Sequence, residues 1–132
     1  MKKIAITTLA LGVLSVALIT GCQKDTTLYI RNEVAVSGTV SFKKDLVPIF
    51  TANCALSGCH ASGGHKPDLS SDKAYNSLKS GKFVDTTTAA SSIIYERLTG
   101  KLSPAMPMGK ATNPSNINSL ILAWIKQGAK NN

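Results

Sequence analysis

Two cysteines and a histidine stand together in the middle of the chain, and their side chains could do chemistry. The run is Cys54-Ala55-Leu56-Ser57-Gly58-Cys59-His60, in which four residues separate the thiols and the imidazole directly follows the second thiol. A Cys-x-x-Cys-His run is the sequence signal for covalent haem attachment, with the thiols on the haem vinyl groups and the adjacent histidine as an axial iron ligand. The longer spacer bulges the loop between the thiols but keeps Cys59 next to His60.

The same residues allow two other kinds of site. Cys54, Cys59, His60 and His65 form a Cys₂His₂ set, which could bind structural zinc, and the two cysteines alone could form a disulfide. For zinc, the adjacent Cys59 and His60 would both have to point at one ion, and the short spacings lack the separated pairs of ordinary zinc motifs. Neither alternative explains the proline, methionine and terminal-helix features further along the chain, so we favour haem.

Residues 1–21 are typical of a lipoprotein export signal. Lys2 and Lys3 precede an apolar run from Ile4 to Ile19, which is too short and too early for a stable bilayer span. The run Leu18-Ile19-Thr20-Gly21-Cys22 resembles the lipobox of bacterial lipoproteins, in which cleavage falls before the cysteine and its sulfur is lipidated. We therefore expect an exported protein anchored through Cys22 to the outer membrane, facing the periplasm or the cell surface.

Length and charge limit the remaining possibilities. Without residues 1–21 the chain is long enough for one domain. The full sequence has 15 Lys and Arg against 7 Asp and Glu, a formal net charge of +8. Its lysines are scattered, with no basic run and no interleaved aromatic residues, so we expect no binding to nucleic acid. A mildly basic surface favours partners with acidic docking surfaces.

The pattern changes at Ser41, and we expect a tether over residues 22–40 and a folded domain over residues 41–132. Alternating valines before Ser41 would also permit a short strand. Beyond it, Phe42, Leu46, Ile49 and Phe50 share one face of a predicted helix. Pro48 is tolerated in the first turn if Asp45 is the cap, whereas a start at Ser41 would impose a kink.

Three further helices are predicted, which gives an all-α fold of three to five short helices. The second is capped by Ser71 or Asp72 and ends at Gly81, and the third spans Ser92 to Leu98. The last has Asn113 as its cap and Pro114 at its first position, and it ends at Gly128. Its apolar stripe consists of Ile117, Leu120, Ile121, Trp124 and Ile125.

From Ser41 to Asn132 the chain resembles class I c-type cytochromes, in particular the small monohaem domains of bacterial lipoproteins. Phe50 and Trp124 look like the aromatic residues at which the family's first and last helices cross. Pro67-Asp68-Leu69 and Ser103-Pro104-Ala105-Met106-Pro107 are similar to the family's two segments on opposite faces of the haem. The resemblance implies a cytochrome c-like fold around one covalently bound haem c.

The resemblance also implies roles for individual residues. The Pro67 carbonyl would accept the imidazole N–H of His60, Leu69 would pack on the haem, and Met106 would be the sixth ligand. Met106 is preferred to Met108 because it precedes a proline as the family's ligand commonly does, and His65 is a third candidate. We expect a monomeric one-electron carrier that serves redox partner proteins. Since the sequence contains no acid–base constellation, and peroxidase activity would need an open sixth site, we do not expect an enzyme.

Overall fold

The structure is a computed structural model that describes residues 35–110, 113 and 116–132. Over these residues the fold is all-α, with no strand and with four α-helices, as the sequence predicts. They are α1 (Val47–Asn53), α2 (Ala74–Ser80), α3 (Ile93–Leu98) and α4 (Ile117–Lys126), with a π-helical turn at Phe42–Leu46 and a 3₁₀ turn at Ala89–Ser91. No helix in this part of the chain has the length and apolar character needed to cross a membrane.

The first helical segment begins at Ser41 and accommodates Pro48 through its π-helical turn. Ser41 Oγ accepts a hydrogen bond from the Lys44 amide at 3.2 Å, and Asp45 Oδ2 accepts one from the Ser41 amide at 2.7 Å. This reciprocal pair is a variant of the capping box. The Val47 amide then bonds to the carbonyl of Phe42, five residues back, and Pro48 lies at the start of α1. The π-helical turn therefore comes just before Pro48, which has no backbone N–H to donate.

Asn132 supplies a second cap for this helical start from the other end of the sequence. Its Oδ1 accepts a hydrogen bond from the Phe42 amide, and its carbonyl oxygen accepts one from the Lys43 amide, both at 2.9 Å. The first amides of a helix have no partner within the helix, so these bonds satisfy groups that would otherwise need water.

The segment before Ser41 packs on the domain, so the tether predicted for residues 22–40 does not extend to its expected end. Val40 is only 2% exposed, and its amide donates to Gln127 Oε1 at 2.8 Å. Gln127 Nε2 in turn donates to the Gly38 carbonyl at 3.0 Å. The side-chain amide of Gln127 thus binds the backbone at both Gly38 and Val40. Residues 35–40 form no strand.

An aromatic cluster forms the centre of the core, and Phe42 is its central ring. The Phe42 ring centroid lies 5.0 Å from that of Trp124, 5.4 Å from that of Tyr75 and 6.1 Å from that of Phe50. The expected crossing at Phe50 and Trp124 is therefore corrected to Phe42 and Trp124. The physical reason is that the π-helical turn packs more extensively against α4 than α1 does.

Helix α2 begins later than expected, whereas α3 has the expected limits. The carbonyl of Ser70 accepts from the Lys73 amide at 3.0 Å and from the Ala74 amide at 2.8 Å. A separate turn thus occupies the residues expected to cap α2, and Gly81 follows its last residue as predicted. Ser92 is the cap residue of α3, which ends at Leu98.

Helix α4 spans Ile117–Lys126, and Pro114, the predicted first position of this helix, lies outside the described residues. Asn113 has a different role from the predicted cap. Its side-chain amide donates to the Leu98 carbonyl at 2.6 Å and to Asn118 Oδ1 at 2.5 Å. Asn113 therefore connects the end of α3 to the first turn of α4. The apolar stripe of α4 is buried at Ile117, Ile121, Trp124 and Ile125.

Candidate cofactor site

Cys54 occupies the end of α1, which fixes the position of the first thiol. The amides of Cys54 and Ala55 both donate to the Phe50 carbonyl at 2.8 Å, so the chain leaves the helix at this point. Cys54 is half-buried, and this burial raises the pKa of its thiol to about 11, against a smaller lowering effect of the Lys110 charge. At neutral pH the side chain is therefore a neutral thiol rather than a thiolate.

The four-residue spacer is folded into a tight turn. The Cys59 amide donates to the Leu56 carbonyl at 2.9 Å, and Gly58 has a φ of +76° at the third position of the turn. These features are those of a type II turn, in which glycine is favoured at that position. The His60 amide then donates to the Cys54 carbonyl at 3.1 Å. The longer spacer thus forms a turn, which brings the backbone of His60 into contact with that of Cys54.

The imidazole of His60 is held through its Nδ1 atom. This nitrogen lies 2.9 Å from the Pro67 carbonyl oxygen and 3.2 Å from the His65 carbonyl oxygen. Carbonyl oxygens only accept hydrogen bonds, so Nδ1 carries the proton, and the lone pair of the neutral ring is on Nε2. A metal-binding histidine is commonly oriented in this way.

Backbone contacts close the loop that contains His60. The His65 amide donates to the Cys59 carbonyl at 2.7 Å, and the Leu69 amide donates to the His60 carbonyl at 2.8 Å. Gly64 lies so close to the first of these contacts that an added Cβ would be 2.4 Å from the Cys59 oxygen. Leu69 is buried in the core, which fixes the end of the loop.

Asp68 connects the two sides of this loop through its carboxylate. It accepts hydrogen bonds from the Ser62 hydroxyl at 3.0 Å, from the Ser70 amide at 3.1 Å and from the Ser70 hydroxyl. The bond from the Ser70 hydroxyl is the main cause that lowers the pKa of the Asp68 carboxyl. Sequence reasoning gave roles to Pro67 and Leu69 but none to Asp68. Its only sequence clue was an acidic residue in a loop rich in serine.

Met106 lies in a separate loop that is attached to α3. Its amide donates to the Arg97 carbonyl at 2.9 Å, and Arg97 Nη1 donates to the Pro104 carbonyl at 3.1 Å. Met106 is half-buried, whereas Met108 is 67% exposed. Hydrogen bonds therefore join Cys54, Cys59, His60, Pro67 and Leu69 in one loop, while Met106 belongs to a different one.

The described cysteines, Cys54 and Cys59, are free thiols. In the part of the chain that the structure describes, no three His, Cys, Asp or Glu side chains are grouped so that they could hold a metal ion. The Cys₂His₂ set of Cys54, Cys59, His60 and His65 is thus not gathered into such a group. The predicted lipidation residue, Cys22, lies outside the described residues.

The donor set in this loop fits haem c. Two free thiols flank a turn, and the imidazole that follows has its Nδ1 proton engaged and its Nε2 lone pair available. A half-buried thioether in the second loop is the kind of soft ligand that haem iron accepts. Comparison with protein-family models, curated proteins and solved structures finds no match.

Proposed function

We propose that the protein is a monohaem c-type cytochrome with a cytochrome c-like fold, and that it carries single electrons outside the cytoplasm. The observation that most supports this function is the 2.9 Å contact between His60 Nδ1 and the Pro67 carbonyl, beside two free thiols. It orients the one imidazole that directly follows a cysteine and leaves its Nε2 lone pair for a metal.

Each residue of the site has a distinct role in this proposal. Cys54 and Cys59 would hold haem c covalently through their sulfur atoms, and His60 Nε2 and the sulfur of Met106 would bind its iron. When bound, haem supplies a one-electron Fe(III)/Fe(II) couple, whose potential is raised by a thioether ligand relative to two histidines. With His60 and Met106 both bound to the iron, no coordination position would be open to peroxide, which would disfavour peroxide chemistry.

Met106 is supported as the sixth ligand over its two competitors. Met108 is 67% exposed, and a side chain directed to solvent would have to turn inward to bind iron. His65 is held by its backbone within the His60 loop, since its amide donates to Cys59 and its carbonyl accepts from His60 Nδ1. His65 therefore belongs to the same loop as the first proposed ligand, whereas Met106 comes from a separate loop.

We propose a lipid anchor at Cys22 on a bacterial membrane, in the outer membrane facing the periplasm or the cell surface. The lipobox-like run before Cys22 supports this location. Its partners are redox proteins with acidic docking surfaces, because cleavage before Cys22 removes only Lys2 and Lys3 from a formal charge of +8 and leaves +6. Replacement of Cys22 by serine should release the protein from membranes, and a variant that still sediments with carbonate-washed membranes would contradict the anchor.

Haem staining after denaturing electrophoresis tests the cofactor. The protein is expressed in a host that attaches haem c, and we expect a stained band together with one haem per chain by pyridine haemochrome spectroscopy. The double variant Cys54→Ser/Cys59→Ser should lose covalent haem, whereas Ser57→Ala, which changes the spacer but no thiol, should retain it. A colourless protein with stoichiometric zinc would support the zinc site, and a colourless protein without metal would support the disulfide.

A further inference from the structure

The segment that carries the Pro67 carbonyl is held in place by the residue that follows it. Asp68 is buried, and its carboxylate accepts hydrogen bonds from Ser62, two residues after His60, and from Ser70 on the other side of the loop. The Asp68 amide also donates to Ser77 Oγ in α2 at 2.7 Å. One residue therefore connects the start of the loop, its end and the adjacent helix.

We propose that Asp68 is the positioning residue of the His60 site, because its carboxylate holds the Pro67 carbonyl against Nδ1 of the imidazole. This inference rests on the proposed function, since it assigns to Asp68 a part in setting the properties of the haem iron. Asp68 does not contact the metal. It acts through Pro67 and His60.

The contacts around Asp68 explain why a carboxylate is needed here. Ser62 and Ser70 share a hydroxyl contact of 3.1 Å, and the Lys73 ammonium donates to Ser62 Oγ at 3.1 Å. The carboxylate accepts from both serines at once, and bonds to an ionised acceptor are stronger than those to a neutral one. An amide or an alkyl group at position 68 would leave one or more of these donors without its acceptor.

Loss of this network should change the iron through the imidazole. A hydrogen bond from Nδ1–H to a carbonyl raises the basicity of a metal-bound histidine, and a more basic ligand favours the more highly charged ion. If the Pro67 carbonyl moves away from Nδ1, the ferric state loses part of this preference. The reduction potential should then rise.

The test compares variants of the haem-loaded protein. Asp68→Ala and Asp68→Asn remove the carboxylate, while Ser62→Ala and Ser70→Ala remove its donors without changing charge. Asp72→Asn is the control for charge, because it removes an exposed carboxylate from the same region. Reduction potentials are measured by redox titration, and backbone hydrogen exchange is measured at Leu69, whose amide donates to the His60 carbonyl.

We expect both serine variants and both Asp68 variants to increase the Fe(II)/Fe(III) ratio at the wild-type midpoint by about threefold or more, with faster exchange at Leu69. Asp72→Asn should leave the ratio and the exchange close to wild type. Serine variants with wild-type potential and exchange would overturn the proposal, even if Asp68→Ala fails to fold. An equal shift of the reduction potential in Asp72→Asn and Asp68→Asn would also overturn the proposal, because the loss of one negative charge would then explain the shift. A wild-type chain without haem would instead refute the proposed function.

Discussion

Nδ1 of His60 lies 2.9 Å from the carbonyl oxygen of Pro67, seven residues further along the chain. The contact requires a closed loop, and the Leu69 amide, which donates to the His60 carbonyl at 2.8 Å, provides the closure. Since Leu69 is itself buried, the orientation of the imidazole is coupled to the packing of the core. Contacts within the chain therefore fix the orientation of the His60 imidazole, the proposed iron ligand.

The identity of the sixth ligand leads to a prediction for a series of variants. Met106→Ala should lower the reduction potential and allow cyanide or carbon monoxide to bind, because removal of a thioether opens an iron coordination position. Met108→Ala and His65→Ala should leave both properties nearly unchanged. Redox titration and absorption spectra with added cyanide measure the outcome. If Met108→Ala gives the stronger effect, the ligand lies two residues further along, and a strong effect of His65→Ala would identify a histidine ligand.

Gly64→Ala should destabilise the protein by about 1–3 kcal/mol through steric overlap. An added Cβ would lie 2.4 Å from the Cys59 carbonyl oxygen, a backbone atom that already accepts the His65 amide. The neighbouring Gly63 is the matched control, because it has a φ of +86° and no heavy atom near an added Cβ. Asparagine adopts this left-handed conformation more readily than most side chains, so Gly63→Asn should cost less than Gly64→Ala in urea unfolding. Equal losses in the two variants would contradict the steric argument.

The elements that could be predicted from sequence are those set by local rules. The α3 limits follow from Ser92 and the apolar residues after it, and the apolar face of α4 follows from its helical spacing. The π-helical turn could not be predicted from periodicity. It adds a residue to the turn and rotates Phe42 relative to Phe50, which changes the ring that meets Trp124.

The motif of the candidate site is visible in the sequence, whereas the hydrogen bonds that support it are not. Cys54, Cys59 and His60 lie close together in the sequence, so their motif is visible without a fold. Asp68 meets Ser62 and Ser70 only after the loop has closed, and no local pattern indicates that contact. The contacts of Asp68 could therefore be identified only from the three-dimensional structure.

Stability should fall in acid because two carboxylates are hydrogen-bonded in the folded state. The Ser70 hydroxyl is the main cause that lowers the pKa of Asp68, and the Thr88 hydroxyl is the main cause for Asp85. An unfolded aspartate titrates near ~3.9, so each contribution is complete above that pH and is lost as pH falls towards the lower folded value. Thermal unfolding between about pH 6 and about pH 2 should show a smaller loss in Asp68→Asn and Asp85→Asn than in wild type. Identical pH profiles would contradict this assignment.

Phe42 and Trp124 should be energetically coupled more strongly than Phe50 and Trp124. Their ring centroids are 5.0 Å apart, within the range of favourable aromatic contact, and Phe42 alone should cost about 3–5 kcal/mol when replaced by alanine. Double-mutant cycles with leucine replacements measure the coupling by urea unfolding. We expect about 0.5–1.5 kcal/mol for the Phe42 pair and a smaller value for the Phe50 pair. A larger coupling energy for the Phe50 pair would mean that the first helical segment crosses α4 at Phe50.

Asn132→Ala should destabilise the domain by about 0.5–2 kcal/mol, the usual effect of losing a helix cap. The Asn132 Oδ1 accepts a hydrogen bond from the Phe42 amide at 2.9 Å, and its Nδ2 donates to the Val40 carbonyl at 3.2 Å. Both partners belong to buried residues, so water cannot readily replace the lost bonds. Asn131→Ala is the matched control, because Asn131 is an exposed residue of the same type. Urea midpoints should therefore differ between the two variants, and equal midpoints would mean that Asn132 does not cap the first helical turn in solution.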